Sequence, residues 1–298
     1  MRLFSLKVKL MPMEIFLDLK RKFLRKLVGK ISRTSFPFLS GDSYKLKCDF
    51  KLSTDFAQEL QKISTFKSNS FSIFCPVFLV NDVFECIMKH KEYDLRNFKL
   101  YIHNGDFKPD KLKMELLANR FERVYSVNWL GSREIAIPIP IGLENYNYYR
   151  NGIPGDFSKL IRLQESKKIS NKINVLVSFN LQTNLAERTL ALNAAKNLPG
   201  VKIIDKFIKP HDYQKLLLNS NFVISPPGNG SDCHRTWEAL YLGAVPILLE
   251  SQWPFSHLPI PVILVKEWNE MQWKISEFSK CENQFNFQEY FWKESNLV

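Results

Sequence analysis

Apolar and polar positions along this chain fall into short apolar runs separated by amphipathic stretches. The apolar runs, bounded by turn residues, predict buried strands at 71–80, 98–103, 123–127, 134–139, 173–179, 201–204, 222–225, 244–249 and 261–265. Helical spacing of apolar residues predicts helices at 82–90, 111–120, 184–197, 211–219 and 269–279. Strands that alternate with helices favour right-handed crossovers and parallel sheets. The pattern therefore predicts an α/β protein.

A segment rich in Gly, Asn and Tyr at 141–155 separates two such α/β units. The chain has 298 residues, which is long enough for two domains of ordinary size. We expect an N-terminal α/β domain over residues 48–150 and a C-terminal α/β domain over residues 151–298. The aromatic-rich tail at 284–293 is expected to pack back on the first domain.

A basic appendage over residues 1–47 carries most of the net charge of +12. It holds twelve Lys and Arg against three acidic residues, 12 − 3 = +9, which leaves 30 − 27 = +3 for the remaining chain. Residues 14–33 within it predict a basic amphipathic helix, too charged to span a bilayer. Its apolar face either lies on an anionic membrane surface or packs on the body of the protein. The nearly neutral body argues against a nucleic-acid partner.

Several familiar sites are missing from the sequence. It has no GxxxxGK[ST] loop, no DxD triplet and no His pair at zinc-protease spacing. The run 228–233 comes close to a dinucleotide-binding GxGxxG, but its last position is Cys233. We therefore expect no metal and no cofactor. Five scattered cysteines without CxxC spacing are typical of reduced thiols, which predicts a cytoplasmic protein, peripheral at the inner face of a membrane if residues 14–33 bind lipid.

The stretch 222–249 predicts a strand, a glycine-rich turn, a helix and a second strand. Ser231 or Asp232 is expected to cap the helix, whose free N–H groups suit an anion. Arg235 and Glu238 lie one turn apart on one face of that helix. Arg235 is placed to bind a diphosphate, and Glu238 to accept hydrogen bonds from two vicinal hydroxyls such as those of a ribose. The alternative is a surface ion pair worth a few tenths of a kcal/mol.

This stretch resembles the signature of exostosin-like glycosyltransferases, in which a Pro-Gly loop precedes an acidic residue, an arginine, a Glu-Ala-Leu, a glycine and a proline-containing strand. The matching positions are Pro227, Gly228, Asp232, Arg235, Glu238–Leu240, Gly243 and Pro246. Segments 139–145 and 178–188 look like two further loops of that family. The resemblance implies two Rossmann-like domains facing across a cleft, the GT-B architecture, with a nucleotide-sugar donor on the C-terminal domain. It also implies inversion at the anomeric carbon.

Candidate site residues follow from the strand ends, the glycine loop and the resemblance. The candidate donor-binding residues are Asn180, Thr183, Arg188, Gly228, Asn229, Gly230, Ser231, Asp232, His234, Arg235 and Glu238. Asp106 and His103 end a predicted strand and are candidates for the general base, or else ordinary turn residues. Glu144 and Asn145 fall between the domains and either line the cleft or are linker residues.

We therefore expect a glycosyltransferase that moves a sugar from a nucleotide-diphosphate sugar to a glycan or lipid-linked acceptor. Transfer leaves negative charge on the nucleoside diphosphate, which the helix N-terminus and arginines would stabilise without a metal. The alternative is a non-catalytic glycan- or nucleotide-binding module derived from such an enzyme. A nucleic-acid binder that uses the basic arm is the third hypothesis.

Overall fold

The computed structural model describes residues 34–66, 70–106, 108–147, 154–166, 173–278 and 286–295. These residues form an α/β protein with two parallel five-stranded sheets, which confirms the predicted fold class. The arrangement is compatible with two Rossmann-like units.

The first sheet has its strands in sequence order, β1-β2-β3-β4-β5, and every neighbouring pair is parallel. Its strands are β1 Phe50–Lys51, β2 Phe71–Pro76, β3 Phe98–His103, β4 Arg123–Ser126 and β5 Ile137–Pro138. The helices of this half are α1 Gly41–Lys47, α2 Phe56–Ile63, α3 Val80–Lys89 and α4 Lys111–Ala118. Parallel strands need such crossovers, and β3 is accordingly almost entirely buried.

The second sheet has the strand order β10-β9-β8-β6-β7, again parallel throughout. Its strands are β6 Ile173–Ser178, β7 Val201–Ile204, β8 Ser220–Ile224, β9 Val245–Leu249 and β10 Ile263–Val265. The helices that accompany it are α5 Pro154–Ser166, α6 Leu185–Ala195, α7 Pro210–Leu218, α8 His234–Tyr241, α9 Met271–Glu277 and α10 Phe287–Glu294. The order reverses beside β6, so that the loops after β6, β7 and β8 lie side by side at one edge.

One aromatic cluster contains residues of both halves. Trp237 of α8 is fully buried, and its ring lies 5.8 Å from those of Trp253 and Phe255 and 5.7 Å from that of Phe291. Tyr101 and Tyr125 of the first sheet belong to the same cluster and stack with their ring centroids 4.5 Å apart. This shared core fixes the position of α8 relative to the first sheet.

Helix α10 contacts the first half of the chain. The Tyr101 hydroxyl donates a hydrogen bond to the Ser295 carbonyl, and Arg133 forms an ion pair with Glu294. Phe291 and Trp292 are buried in the shared aromatic cluster. The end of the described chain is therefore held against residues that precede it by more than 160 positions.

Residues 34–47 differ from the prediction, which grouped them with the basic appendage. Leu39 and Tyr44 are fully buried, and the Leu39 N–H donates to the Tyr241 hydroxyl at 3.0 Å. This segment is therefore part of the folded body. The predicted helix at 14–33 and the predicted boundary at 150–151 lie outside the described residues. Within the described ranges, no helix is long and apolar enough to cross a membrane.

Candidate functional site

A cavity of about 570 Å³ lies at the carboxyl ends of β6, β7 and β8. Its volume is in the range of sites that hold a small ligand, and its position is the one at which open parallel sheets bind ligands. Asp106, from the loop after β3 in the first sheet, also reaches this cavity. The predicted residues that line it are Asp106, Asn180, Thr183, Arg188, Gly228, Asn229, Gly230, Asp232, His234, Arg235 and Glu238.

The glycine loop before α8 is shaped by close contacts rather than by a capping side chain. A Cβ on Gly228 would lie 2.8 Å from Nη2 of Arg188, so a side chain there would require that guanidinium to move. The N-cap of α8 is Cys233, not Ser231 or Asp232 as predicted, and its side chain gives the helix no capping hydrogen bond. The first turn of α8 therefore faces the cavity without a side-chain acceptor from its N-cap, which suits an anionic ligand.

Two guanidinium groups flank the Phe179 ring at one end of the cavity. The Cζ atom of Arg188 lies 5.7 Å from the ring centroid, and that of Arg235 lies 5.4 Å from it. Burial and the neighbouring charge of Arg235 lower the pKa of Arg188. In the part of the chain that the structure describes, neither arginine forms an ion pair with a carboxylate. This end of the cavity is therefore positively charged, with no carboxylate at ion-pair distance from either arginine among the described residues, although Glu238 lies near enough to Arg235 to feel its charge.

The two arginines are held by backbone carbonyls. Arg188 donates from Nε to the Pro227 carbonyl at 2.9 Å and from Nη1 to the Asn180 carbonyl at 2.6 Å. Arg235 donates from Nε to the Ser178 carbonyl at 2.9 Å. Its Nη1 atom is buried and has no hydrogen-bond partner among the described residues. Arg188 therefore shapes the loops, whereas Arg235 retains a free donor at the cavity.

Glu238 lies one turn further along α8 and is 3% exposed. Its Oε1 atom has no hydrogen-bond partner among the described residues. Burial raises the pKa of Glu238 to about 7. Tyr213 of α7 lines the same cavity, and the nearby Glu238 contributes, after burial, to a raised pKa of its hydroxyl. A buried carboxyl oxygen without a partner is costly, so this position is suited to a ligand that donates hydroxyl hydrogen bonds.

Asp232 binds protein groups rather than a ligand. Its Oδ2 accepts from the Ile141 N–H at 2.8 Å, and both of its oxygens lie 2.9 Å from Nε1 of Trp237. Burial, partly offset by these hydrogen bonds, raises the pKa of Asp232 to about 6. The predicted donor-binding role is therefore wrong for this side chain. Its hydrogen bonds instead connect α8 to the segment that follows β5.

Asn128, which the sequence did not single out, holds the glycine loop from the first sheet. It follows β4 with a φ of 57°, a left-handed conformation that Asn tolerates. Its Oδ1 accepts from the Asp232 N–H at 2.9 Å and from the Ser231 hydroxyl at 3.2 Å. A Cβ on Gly230 would lie 2.7 Å from both Asn128 Nδ2 and Oδ1. Ser231 was predicted to bind the donor, but its hydroxyl is used in this contact.

His234 and Glu144 connect the halves of the chain beside the cavity, whereas Asn145 bonds within the first half. His234 donates from Nδ1 to the Gly142 carbonyl at 2.8 Å, and its Nε2 lies 3.6 Å from Oε2 of Glu144. Asn145 accepts from the Asp42 N–H at 2.8 Å and donates to Oδ1 of Asn104 at 2.9 Å. Neither Glu144 nor Asn145 lines the cavity, which favours the second of the two alternatives, since both side chains bond other parts of the protein.

The two candidate bases differ sharply. His103 is 2% exposed and does not line the cavity. Its Nδ1 accepts from the Asn104 N–H at 2.7 Å, and its Nε2 donates to the Pro140 carbonyl at 3.0 Å. Burial lowers its pKa to about 4, so it is a neutral structural residue and the predicted catalytic role is wrong. Asp106 is exposed in the cavity wall and accepts from Nδ2 of Asn229 at 2.9 Å.

The remaining walls come from the loops after β6 and β7. Asn180 and Thr183 lie in the first of these, where Thr183 donates to the Asn180 carbonyl at 3.2 Å. The loop after β7 was missed by the sequence analysis, and it contributes Ile204, Asp205, Lys206, Phe207, Ile208 and Pro210. The signal that the sequence offered for this loop was a pair of apolar residues, Phe207 and Ile208, between a predicted strand and a predicted helix. Among the described residues, no group of three or more His, Cys, Asp or Glu is placed to hold a metal.

Replacing Gly230 tests the contact between the glycine loop and Asn128. We expect Gly230→Ala to lower the free energy of unfolding by about 1–3 kcal/mol, because the new methyl group overlaps the buried Asn128 amide. Gly155→Ala is the control, since a Cβ there meets nothing within 4 Å. Denaturant unfolding of both variants measures the difference. Equal stabilities would contradict the proposed packing.

Replacing Glu238 tests its burial. As pH rises from 4.5, the unfolded chain loses the Glu238 proton first while the folded chain keeps it until about pH 7, so stability falls across this window. We expect Glu238→Gln to remove that fall, shifting the variant relative to the wild type by on the order of 3 kcal/mol between pH 5 and 8. Urea unfolding at both pH values measures this shift. Parallel pH profiles for the two proteins would rule out a strongly raised pKa.

Comparison with known proteins does not assign this chain to a family. No family model matches the chain. No curated protein matches it either. The chemistry of the site therefore has to be inferred from its own residues.

Proposed function

We propose that this protein is a glycosyltransferase that moves a sugar from a nucleoside diphosphate sugar to a hydroxyl of a glycan or lipid-linked acceptor. The observation that carries the proposal is the positive end of the cavity, where Arg188 and Arg235 have no carboxylate partner among the described residues. Two neighbouring guanidiniums repel each other unless an anion lies between them.

The donor fits the cavity in one orientation. Its diphosphate binds the free Nη1 donor of Arg235 and the first turn of α8, where charge-assisted hydrogen bonds are strongest. The vicinal hydroxyls of its ribose bind the carboxyl of Glu238, whose Oε1 has no partner among the described residues. These hydroxyl donors favour the charged carboxylate and lower its pKa from about 7.

The reaction follows from where charge develops. The acceptor oxygen attacks the anomeric carbon as the bond from that carbon to the diphosphate oxygen breaks, and negative charge builds on the leaving nucleoside diphosphate. Arg235 and the N-terminus of α8 stabilise this charge, and Arg188 adds positive potential from behind the loop. Asp106, on the opposite wall, accepts the proton of the acceptor hydroxyl.

The proposed architecture is GT-B, with the two parallel sheets facing each other across this cavity. Hydrogen bonds from the glycine loop to Asn128 and from Asn229 to Asp106 join the two sides of the cavity and support this architecture. The resemblance of the loop and helix to exostosin-like glycosyltransferases supports it further. In this proposal the donor binds the C-terminal half, and the acceptor binds beside Asp106.

The second candidate function is a nucleotide-binding module without turnover. The observation in its favour is that His103 is locked by backbone hydrogen bonds, which leaves Asp106 as the candidate base among the described residues. Such a module would bind the donor and transfer nothing. Kinetics with Asp106 variants distinguishes it from the enzyme.

We also propose that residues 14–33 bind an anionic membrane surface at the cytoplasmic face, where a lipid-linked acceptor would lie. Flotation of the full chain with vesicles of phosphatidylcholine and phosphatidylserine tests this. We expect the full chain to float with these vesicles, and a chain lacking residues 1–33 to stay in the dense fraction. Equal flotation of the two chains would contradict membrane binding through this segment.

A panel of UDP-, GDP- and CMP-sugars tests the reaction. We expect transfer from a nucleoside diphosphate sugar but not from a CMP-sugar, which lacks the second phosphate. Arg235→Ala is expected to raise the donor KM by about 10- to 150-fold, because a hydrogen bond to a charged group is worth about 1.5–3 kcal/mol. Asp106→Asn is expected to lower kcat by about 10²- to 10⁴-fold at unchanged donor affinity.

Arg96→Ala and Asp94→Asn are the matched controls, since both residues are exposed on the first half and neither lines the cavity. We expect both variants to keep wild-type kinetics. Wild-type donor affinity in Arg235→Ala would overturn the site. Donor binding without transfer to any acceptor would favour the nucleotide-binding module.

A further inference from the structure

Phe207 is the most exposed large apolar side chain among the described residues. It is 86% exposed, in the loop between β7 and α7, and it lines the cavity. Burying a Phe side chain contributes about 1.5–3 kcal/mol to stability, and an exposed Phe lacks this contribution. A single exposed apolar residue is nevertheless common on protein surfaces. This one is joined in the cavity wall by Ile204 and Ile208. This part of the chain therefore adds apolar side chains to the cavity wall, beside the charged Asp205 and Lys206.

These apolar side chains lie beside the positive end. Arg235 donates from Nε to the Ser178 carbonyl at the end of β6, and both guanidiniums lie against the Phe179 ring. Ser178 pairs with Ile204, the last residue of β7, and neighbouring strands lie about 5 Å apart. A ligand that lies across the loops after β6 and β7 therefore meets cations first and apolar side chains next to them.

Polar groups of the cavity lie close to the two arginines. Tyr213, on α7 directly after the Phe207 loop, has its pKa raised by burial and by the charge of Glu238 and lowered by the charge and hydrogen bond of Arg235. Glu238 itself presents the unpartnered Oε1 described above. The cavity wall thus combines cationic, carboxyl, hydroxyl and aromatic groups. The diphosphate, the ribose and the base of a nucleotide supply a matching partner for each of these groups.

We infer that Phe207 forms a nucleobase subsite in which the base of the donor stacks on its ring. This inference rests on the proposed function, because it takes the ligand to be a nucleoside diphosphate. Stacking of a base on an aromatic side chain is worth about 1–3 kcal/mol and depends little on which base is bound. Phe207 therefore supplies affinity for the nucleoside, and the exposed ring is covered only when the donor is bound.

Calorimetric titration of the intact chain with UDP, GDP, ADP and inorganic pyrophosphate tests the subsite. Phe207→Ala is expected to weaken binding of the nucleoside diphosphates by about 5- to 150-fold, the equivalent of 1–3 kcal/mol, and to leave pyrophosphate binding unchanged. Phe207→Tyr keeps the ring and is expected to restore nucleotide affinity. Arg235→Ala is expected to weaken nucleotides and pyrophosphate alike.

Phe78→Ala is the matched control, since Phe78 is 69% exposed and does not line the cavity. It is expected to bind every probe as the wild type does. Unchanged nucleotide affinity in Phe207→Ala, with nucleotides bound by the wild type, would overturn the subsite and leave the proposed function standing. Absence of nucleoside diphosphate binding by the wild type would overturn both.

Discussion

Two guanidinium groups that flank one phenylalanine ring, without a carboxylate partner among the described residues, determine what this cavity can hold. Arg188 and Arg235 are placed there by backbone carbonyls of the loops after β6 and β8, so their positions follow from the sheet. Burial first, and then the like charge of Arg235, lower the pKa of Arg188, so both desolvation and repulsion make this arrangement of charges costly. An anionic ligand removes that cost, and the rest of the site is arranged around it.

The positive site depends on contacts from the other sheet. Asn128 holds the glycine loop through two acceptor contacts, and Asp232 ties the loop to Ile141 and to Trp237 inside the shared aromatic cluster. Breaking any of these contacts leaves a buried polar group unpaired, which costs about 1–3 kcal/mol. The geometry of α8 is therefore a property of both halves. Asp232 and Ser231 have the polar side chains expected of substrate ligands, but they hold the binding loop in place through hydrogen bonds to protein groups.

Local chemistry explains which features were predictable from the sequence. Strands β3 and β7 match their predicted bounds, because short apolar runs between turn residues define them. The glycine loop and the face of α8 are contiguous in sequence, so Arg235 and Glu238 were identified together. Helices α1 and α2 and strand β1 were missed, because each is short and residues 34–70 mix apolar, polar and turn residues without a clear period.

Tertiary contacts explain the features of the site that were not predicted from the sequence. His103 looked accessible at a strand end, but the Pro140 carbonyl and the Asn104 N–H occupy both of its ring nitrogens. Asn128 and the loop with Phe207 lie in other segments than the glycine loop, and only the tertiary fold brings Asn128 against that loop and Phe207 into the cavity wall. The spacing of residues within one segment does not show which loops from other segments will contact it.

The most direct measurement is a crystal structure of the intact chain grown with UDP, GDP or ADP. We expect the diphosphate oxygens to lie within about 2.7–3.2 Å of Arg235 Nη1 and of the first turn of α8. We also expect the ribose hydroxyls to contact Glu238. A nucleotide bound elsewhere on the protein, or one that leaves Arg235 and Glu238 without contacts, would contradict the proposed site.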